Sequence, residues 1–176
     1  MMTDSELMAK VKQGELRFMS DIFNRHHVSI YNYFKKMTGR PSLSEDLTQT
    51  VFEKVIRSKH AYNEQSAFKA WLFKMAKNSL MDHYRSNKKM QITYDKIPEQ
   101  VSFYDDDSEK LDPDLKAKVH NALKRIKHEH KEILILTRFE NLQYAEAAAV
   151  VGISENAVKA RVFRAIKSFK EAYYNS

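Results

Sequence analysis

Residues 150–164 read VGISENAVKARVFRA: a short apolar run, a glycine, then a segment that turns basic within ten residues. Gly152 offers a backbone free to take positive φ. Ser154 is a residue type that caps helices, its hydroxyl within reach of a free amide at Asn156 or Ala157. One helix is therefore predicted to end near Val151 and another to begin near Glu155. In the second, Val158, Val162, Ala165, Ile166 and Phe169 recur at spacings of three and four, which makes one apolar face. Left outside that face are Asn156, Lys159, Ala160, Phe163, Arg164 and Lys167. Core packing does not call for an exposed stripe of an amide, cations and one ring. Upstream, YAEAAAVVG places Tyr144, Ala148 and Val151 on one side, with alanines small enough for a second helix to lie close. Two helices joined by a three-residue turn with glycine match the arrangement whose second helix enters the DNA major groove. An ordinary helical hairpin with a solvated cationic face is the competing reading.

Working outward, the whole chain agrees with a helical nucleic-acid binder. Its 176 residues hold only three glycines and three prolines, too few turn residues for sheets and tight hairpins. With no cysteine, disulfides and thiolate metal sites are excluded. No apolar run approaches the roughly 18 to 20 residues needed to cross a bilayer, and MMTDSELMAK lacks the basic and apolar parts of a signal peptide. The expected location is the cytoplasm, with no direct membrane insertion. Residues 1–87 carry 14 Lys and Arg against 9 Asp and Glu, net +5. Residues 88–115 carry 4 against 8, net −4, and residues 116–176 carry 12 against 6, net +6. Two basic blocks thus flank an acidic joint, as expected if both ends meet a polyanion and release its counterions. Solubility alone is the other use of such charge.

The joint, residues 88–115, has no sustained helical period, contains Pro98 and Pro113, and carries Asp105, Asp106 and Asp107 in a row. Consecutive carboxylates rarely converge on one cation without a folded cage, so the stretch reads as a solvated tether. Ile92, Tyr94, Ile97, Val101 and Phe103 are nevertheless more apolar than a plain spacer requires.

The N-terminal block reads as a set of helices. Asp4 or Ser5 can cap a short one ending before Gly14. From Glu15 to Met37, Leu16, Met19, Ile22, Phe23, His26, Ile30, Tyr33, Phe34 and Met37 keep near-helical spacing, and Gly39 with Pro41 end the segment. A third helix is expected from Ser42 or Ser44, with Glu45 and Asp46 in its first turn. It buries Leu47, Val51 and Val55, with Phe52 a further candidate for the buried set, and displays Asp46, Gln49, Thr50 and Glu53. After the loop SKHAYNEQS comes AFKAWLFKMAKNSLMDHYRSNKK, in which Phe68, Leu72, Met75, Ala76, Ser79 and His83 can face inward. Lys74, Asn78, Met81 and Arg85 line another side. Cations interleaved with rings and an amide suit single-stranded nucleic acid, because rings stack on bases while cations track phosphates. A plain amphipathic core helix is the alternative.

The stretches SEDLTQTVFEKVIR, FKAWLFKMAKNSLMDHYR and ENLQYAEAAAVVGISENAVKARVFRAIKSFKE, in that order around an acidic tether, resemble bacterial RNA polymerase sigma factors of the sigma-70 family. More closely, they are similar to the extracytoplasmic-function group, which keeps only regions 2 and 4. The resemblance implies an all-α fold of two small helical domains, region 2 over residues 1–87 and region 4 over 116–176, joined by the acidic linker 88–115. It implies a transcription initiation factor whose partners are core RNA polymerase, through the clamp helices of the largest subunit and the β flap, promoter DNA, and an anti-sigma factor. Asp46, Gln49 and Phe52 match positions that family members use to grip the clamp. Trp71 and Asn78 match the minus-10 helix, with Lys74 and Arg85 beside them on the DNA side, and the loop from Lys59 to Ser66 is implied to hold a flipped non-template base. Lys159, Phe163 and Arg164 match minus-35 base-reading positions, with Asn156 and Ala160 on the same face. Lys or Arg to guanine and the ring against a thymine methyl are the implied contacts. Arg138 and Arg161 are implied to hold phosphates, which positions without specifying.

The chain also departs from the family pattern. RIKHEHKE lacks the usual proline that opens region 4, and Asn141 stands where glycine is common, a swap that asparagine tolerates in the left-handed region. Gln143 replaces the frequent Ser or Thr cap before Tyr144, so that helix is expected to start less firmly. Ala147 and Val151 stand where larger residues are frequent. Other features exclude enzyme chemistry and cofactors as expectations. His26 with His27, and His128 with His130, lack the i, i+4 spacing of paired ligands, and neither a nucleophile with its base nor a phosphate-binding glycine loop is present. A stand-alone helix-turn-helix regulator, which binds operators as a dimer, is the alternative from another class, but it has no use for the Asp46 and Gln49 face or the minus-10-like helix.

Overall fold

The computed structural model describes residues 1–90 and 112–175. Every regular element among them is helical: α1 Asp4–Lys12, α2 Met19–Thr38, α3 Pro41–Arg57, α4 Phe68–Met90, α5 Pro113–Arg125, α6 His128–Leu134, α7 Tyr144–Val151 and α8 Glu155–Tyr174. Short 3₁₀ turns occupy Leu16–Phe18 and Lys59–Ala61, and α6 runs on into a π turn at Ile135–Phe139. The chain divides into two compact units, Met1–Val101 and Ser102–Ser176. α4 extends through Met90 and α5 opens at Pro113, so helix occupies both ends of the stretch read as tether. Pro113 sits in the first turn behind an Asp112 cap, where its missing N–H costs nothing. Pro98, the Asp105–Asp107 run and the apolar tether residues lie outside the described residues.

In the first unit α3 packs between α2 and α4, and α1 lies against α2. Ile22, Ile30, Tyr33 and Phe34 of α2, Val51 and Val55 of α3, and Leu72, Phe73 and Ala76 of α4 are all fully buried in this packing. The Tyr33 and Phe73 rings meet edge to face at 5.6 Å, a favoured aromatic geometry. Phe73 and Leu80 are core residues that the inward set read from the sequence leaves out.

Several helix starts differ from expectation. α1 is capped by Thr3, not by Asp4 or Ser5: the Glu6 amide donates to Thr3 Oγ1, and the Thr3 amide donates to the Glu6 carboxylate at 2.6 Å. This is the reciprocal box that a Thr-x-x-Glu spacing allows. Leu16 is half exposed in its 3₁₀ turn, and the long helix starts only at Met19. α3 begins at Pro41, and Ser44 is buried in its first turn, donating to the Arg40 carbonyl at 2.8 Å. Gly39, at φ 70°, ends α2 as expected.

In the second unit α5, α6 and α7 all pack on α8. Ala122, Ile133, Ile135, Leu136, Ala147, Val158 and Ala165 have no solvent exposure. The buried side of α7 is Ala147, Ala148 and Val150, with Tyr144 and Val151 only half covered. The face is thus rotated from the Tyr144, Ala148, Val151 line toward α8, because a three-residue turn leaves α7 little freedom over which residues meet its partner.

Candidate nucleic-acid interface

Three exposed polar faces sit on buried scaffolds. The first is on α8. Gly152 takes φ 76°, its amide donating to the Ala148 carbonyl, and Ser154 Oγ accepts from the Ala157 amide at 3.1 Å. With the turn thus closed, Val158 and Val162 point into the core while Asn156, Lys159, Ala160, Phe163, Arg164 and Lys167 face outward. Phe163 is 75% exposed, a large apolar cost unless a partner covers it. Lys159 leans on Glu155 at 3.1 Å, an exposed i, i+4 pair that a stronger anion can break.

Arg161 is placed differently from its neighbours. Its side chain is 22% exposed and lies 3.7 Å from Glu129 of α6, so it joins two helices of the unit rather than standing out on the stripe. Arg138 is exposed and donates to the Tyr144 hydroxyl at 3.2 Å. Asn141, at φ 55°, is the non-glycine residue with positive φ among those described, and it adopts the conformation anticipated for it. At the start of α7 the Gln143 amide donates to the Glu146 carboxylate at 2.8 Å. The weakness expected from the missing Ser or Thr is therefore offset by the glutamate three residues on.

The second face is on α4. Lys74, Asn78, Met81 and Arg85 all lie on the solvent side, opposite Leu72, Ala76, Ser79 and Leu80. Ser79 Oγ accepts from Lys54 of α3 at 3.0 Å, which fixes the helix in rotation. Trp71 is half buried, its ring tilted 51° to Tyr62 at 5.1 Å and 44° to Phe68 at 5.8 Å. Only part of that indole is open to a base. Near the end of α4, His83 is held below its ordinary range by burial and then by Arg40. Asn87 donates to its Nε2 at 2.8 Å, which leaves the neutral ring its proton on Nδ1.

Ahead of α4, residues 63–67 are exposed around a buried anchor, Tyr62. Its hydroxyl donates to the Ser66 carbonyl at 2.9 Å, and the Gln65 amide donates to Asn63 Oδ1 at 3.0 Å. An open-tipped loop with a bonded base results. Reading by motif passed over Tyr62; the signal available was a single large ring in a stretch otherwise polar.

The third face is on α3, where Asp46 and Gln49 are exposed and Glu53 pairs with Arg57 at 3.4 Å. Phe52, grouped with them from the family pattern, is not on it. The residue is 6% exposed, its ring edge-on to Phe23 at 4.9 Å. Because α3 is covered on two sides, its buried arc is wider than one stripe and takes in Phe52. Among the described residues no three His, Cys, Asp or Glu side chains form a metal cluster. His26 instead meets Asp4 at 2.8 Å, which also accepts from Arg25 at 2.9 Å. Among the described residues no helix is long and apolar enough to cross a membrane.

The chain is similar to known proteins along most of its length. The family model for Sigma-70 region 2 matches residues 22–90, and that for Sigma-70 region 4 matches residues 116–169. The RNA polymerase sigma factor SigV of Bacillus subtilis is 32% identical over 158 residues, covering 90% of this chain and 92% of that protein. The ECF RNA polymerase sigma factor SigM of the same organism is 27% identical over 155 residues, covering 88% and 94%. Among solved structures, the sigma factor RpoE of Bartonella quintana, in complex with the anti-sigma factor NepR, superposes with a TM-score of 0.74 at 22% identity, covering 93% of this chain and 96% of that one. The chain belongs to the sigma-70 family, in its extracytoplasmic-function group, and is a transcription initiation factor that directs core RNA polymerase to promoters.

Proposed function

We propose that the three faces divide the work of initiation: α3 meets the polymerase through Asp46 and Gln49, the 59–66 loop and α4 read and hold the minus-10 element, and α8 reads the minus-35 element. The observation that carries this reading is the outward stripe of α8, where Phe163 and Arg164 stand in solvent while Val158, Val162 and Ala165 are buried beneath them. A helix so anchored offers base-edge chemistry to the major groove without spending its core. Region 2 is assigned to residues 1–87, the tether to 88–115 and region 4 to 116–176. On α4, Lys74 and Arg85 track phosphates, Asn78 offers a bidentate amide, and the open side of Trp71 supports the edge of the melted strand. An extruded base in the neighbouring loop costs a few kcal/mol, least where strands are already parting, so reading and melting are coupled there.

The polymerase contacts are the clamp helices of the largest subunit for α3 and the β flap for region 4. The chain supplies no catalysis of its own; bond making belongs to the core enzyme. The working location is the cytoplasm, where an anti-sigma factor covers these surfaces until a signal releases them, a reading supported by the anti-sigma complex of the RpoE neighbour. The test is transcription in vitro with the purified chain, core polymerase and a library of promoter fragments, with transcript starts sequenced. Discrete starts that share two upstream motifs are expected. Asn78→Ala should impair strand opening more than duplex binding, and equal loss of both would remove Asn78 from the melted-strand role.

A further inference from the structure

The helix α1 precedes the region 2 match, which starts at residue 22, yet its contacts run to the loop before α4. Ser5, Met8 and Lys12 follow at spacings of three and four and so share one face of α1. Met8 is fully buried. Ser5 Oγ lies 2.8 Å from the Tyr62 hydroxyl at one end of this face, and Lys12 Nζ lies 3.1 Å from the Glu64 carboxylate at the other. Lys12 also stands 5.5 Å from the centre of the Tyr62 ring, within cation–π range.

The direction of the hydrogen bonds follows from proton counting. The Ser66 carbonyl can only accept, so the single Tyr62 proton goes to it at 2.9 Å, and Ser5 must donate to the Tyr62 oxygen. A chain therefore runs from the α1 hydroxyl through the Tyr62 hydroxyl to the backbone at the far side of the loop. The Tyr62 ring is itself wedged edge-on to Phe68 at 5.5 Å and against Trp71 at 5.1 Å. Meanwhile Lys12 takes hold of the loop tip from outside. Within the loop the bonds are local: the Gln65 amide donates to Asn63 Oδ1 and Ser66 Oγ donates to the Asn63 carbonyl. The Tyr62 ring ties the base of the loop to α4, and Ser5 and Lys12 add the ties to α1 that hold its hydroxyl and its tip.

We infer that α1 is a positioning element for the minus-10 loop, with Ser5 and Lys12 acting through Tyr62 and Glu64 to set how sharply the loop discriminates among bases. The inference rests on the proposed role of the 59–66 loop, and it adds residues that neither the helix-turn-helix nor the minus-10 helix involves. Ser5 and Lys12 touch no DNA; their effect passes through the loop.

The full chain, reconstituted with core polymerase, is tested on a promoter library randomised in both elements, comparing Ser5→Ala, Lys12→Ala, the double variant and Asn63→Ala/Gln65→Ala. The α1 variants are expected to flatten the preference at one minus-10 position by about threefold to tenfold, the range for losing one or two hydrogen bonds. Preference in the minus-35 element and affinity for core should hold. A flattened profile in the loop variant with an unchanged one in the α1 variants overturns the positioning role and leaves the loop reading standing. An unchanged profile in all of them removes both. Uniform loss at both elements makes α1 a plain stabiliser and equally overturns the inference. Tyr62→Phe keeps the ring packing and drops only the hydroxyl, so it reads out the chain even if an α1 variant folds poorly. In that background Ser5→Ala should add nothing, and an additive effect would refute the hydrogen-bond route.

Discussion

Arg161 and Arg164 lie one turn apart on α8 and should fail in opposite ways. Arg164 is exposed, so its removal takes away no packing. If it makes a bidentate contact to a base, Arg164→Ala costs about 1–3 kcal/mol, or about 5- to 150-fold, at one position of the upstream element. Arg161 is tied to Glu129 at 3.7 Å with 22% of its side chain exposed. The pair is long and half open to solvent, which limits it to about 0.5–1 kcal/mol. The methylene stem laid between α6 and α8 adds a similar amount. Arg161→Ala should therefore destabilise the unit by about 1–2 kcal/mol and lower its melting temperature by roughly 5–15 °C, given the steepness expected for a domain of this size. Circular-dichroism melts measure the second effect, and transcription by reconstituted holoenzyme from promoters varied in the upstream element measures the first. An Arg161→Ala variant that lost preference at one base pair while melting normally would refute the placement. So would an Arg164→Ala variant that weakened every sequence alike, since a phosphate contact behaves in that way.

The other predictions concern different links in the same chain. Asp46→Ala with Gln49→Ala should leave unfolding free energy within about 0.5 kcal/mol yet weaken competition for core polymerase; Phe52→Ala, which empties a site against Phe23, should cost about 3–5 kcal/mol by denaturant titration. Equal stability of the two would return Phe52 to the surface. Gly152→Ala puts a Cβ where nothing lies within 4 Å, so only the left-handed backbone is penalised, at about 1–2 kcal/mol. A loss far larger would mean that the turn makes contacts of another kind. His120 is pushed down to about 4 from its ordinary 6.5 by burial, then by Lys124 and Lys131. Its folded form binds fewer protons than the unfolded chain between those values, so stability is full above pH 6.5 and falls as pH drops toward 4. Unfolding titrations from pH 7 to 4.5 should show that slope flattened in His120→Leu, and an unchanged slope would assign the acid sensitivity to other groups.

Much of this molecule was legible from local pattern. The α7–α8 turn is set by Gly152 and Ser154 through bonds that span only a few residues, and the outward faces of α4 and α8 follow from helical spacing alone. Asn141 likewise takes a conformation that its own side chain permits. What eluded the sequence was whatever depends on a partner distant in the chain. Phe52 and Arg161 sit on helices whose period leaves them at the margin of the buried face; only the second neighbour packed against α3, and Glu129 across from α8, decide that they turn inward. Tyr62 carries no motif, and its role exists because Ser5, 57 positions earlier, reaches its hydroxyl. Periodicity determines which way a side chain points from its own helix. Which neighbours stand there, and so whether it reads DNA or holds the fold, is determined by packing between elements that no local window contains.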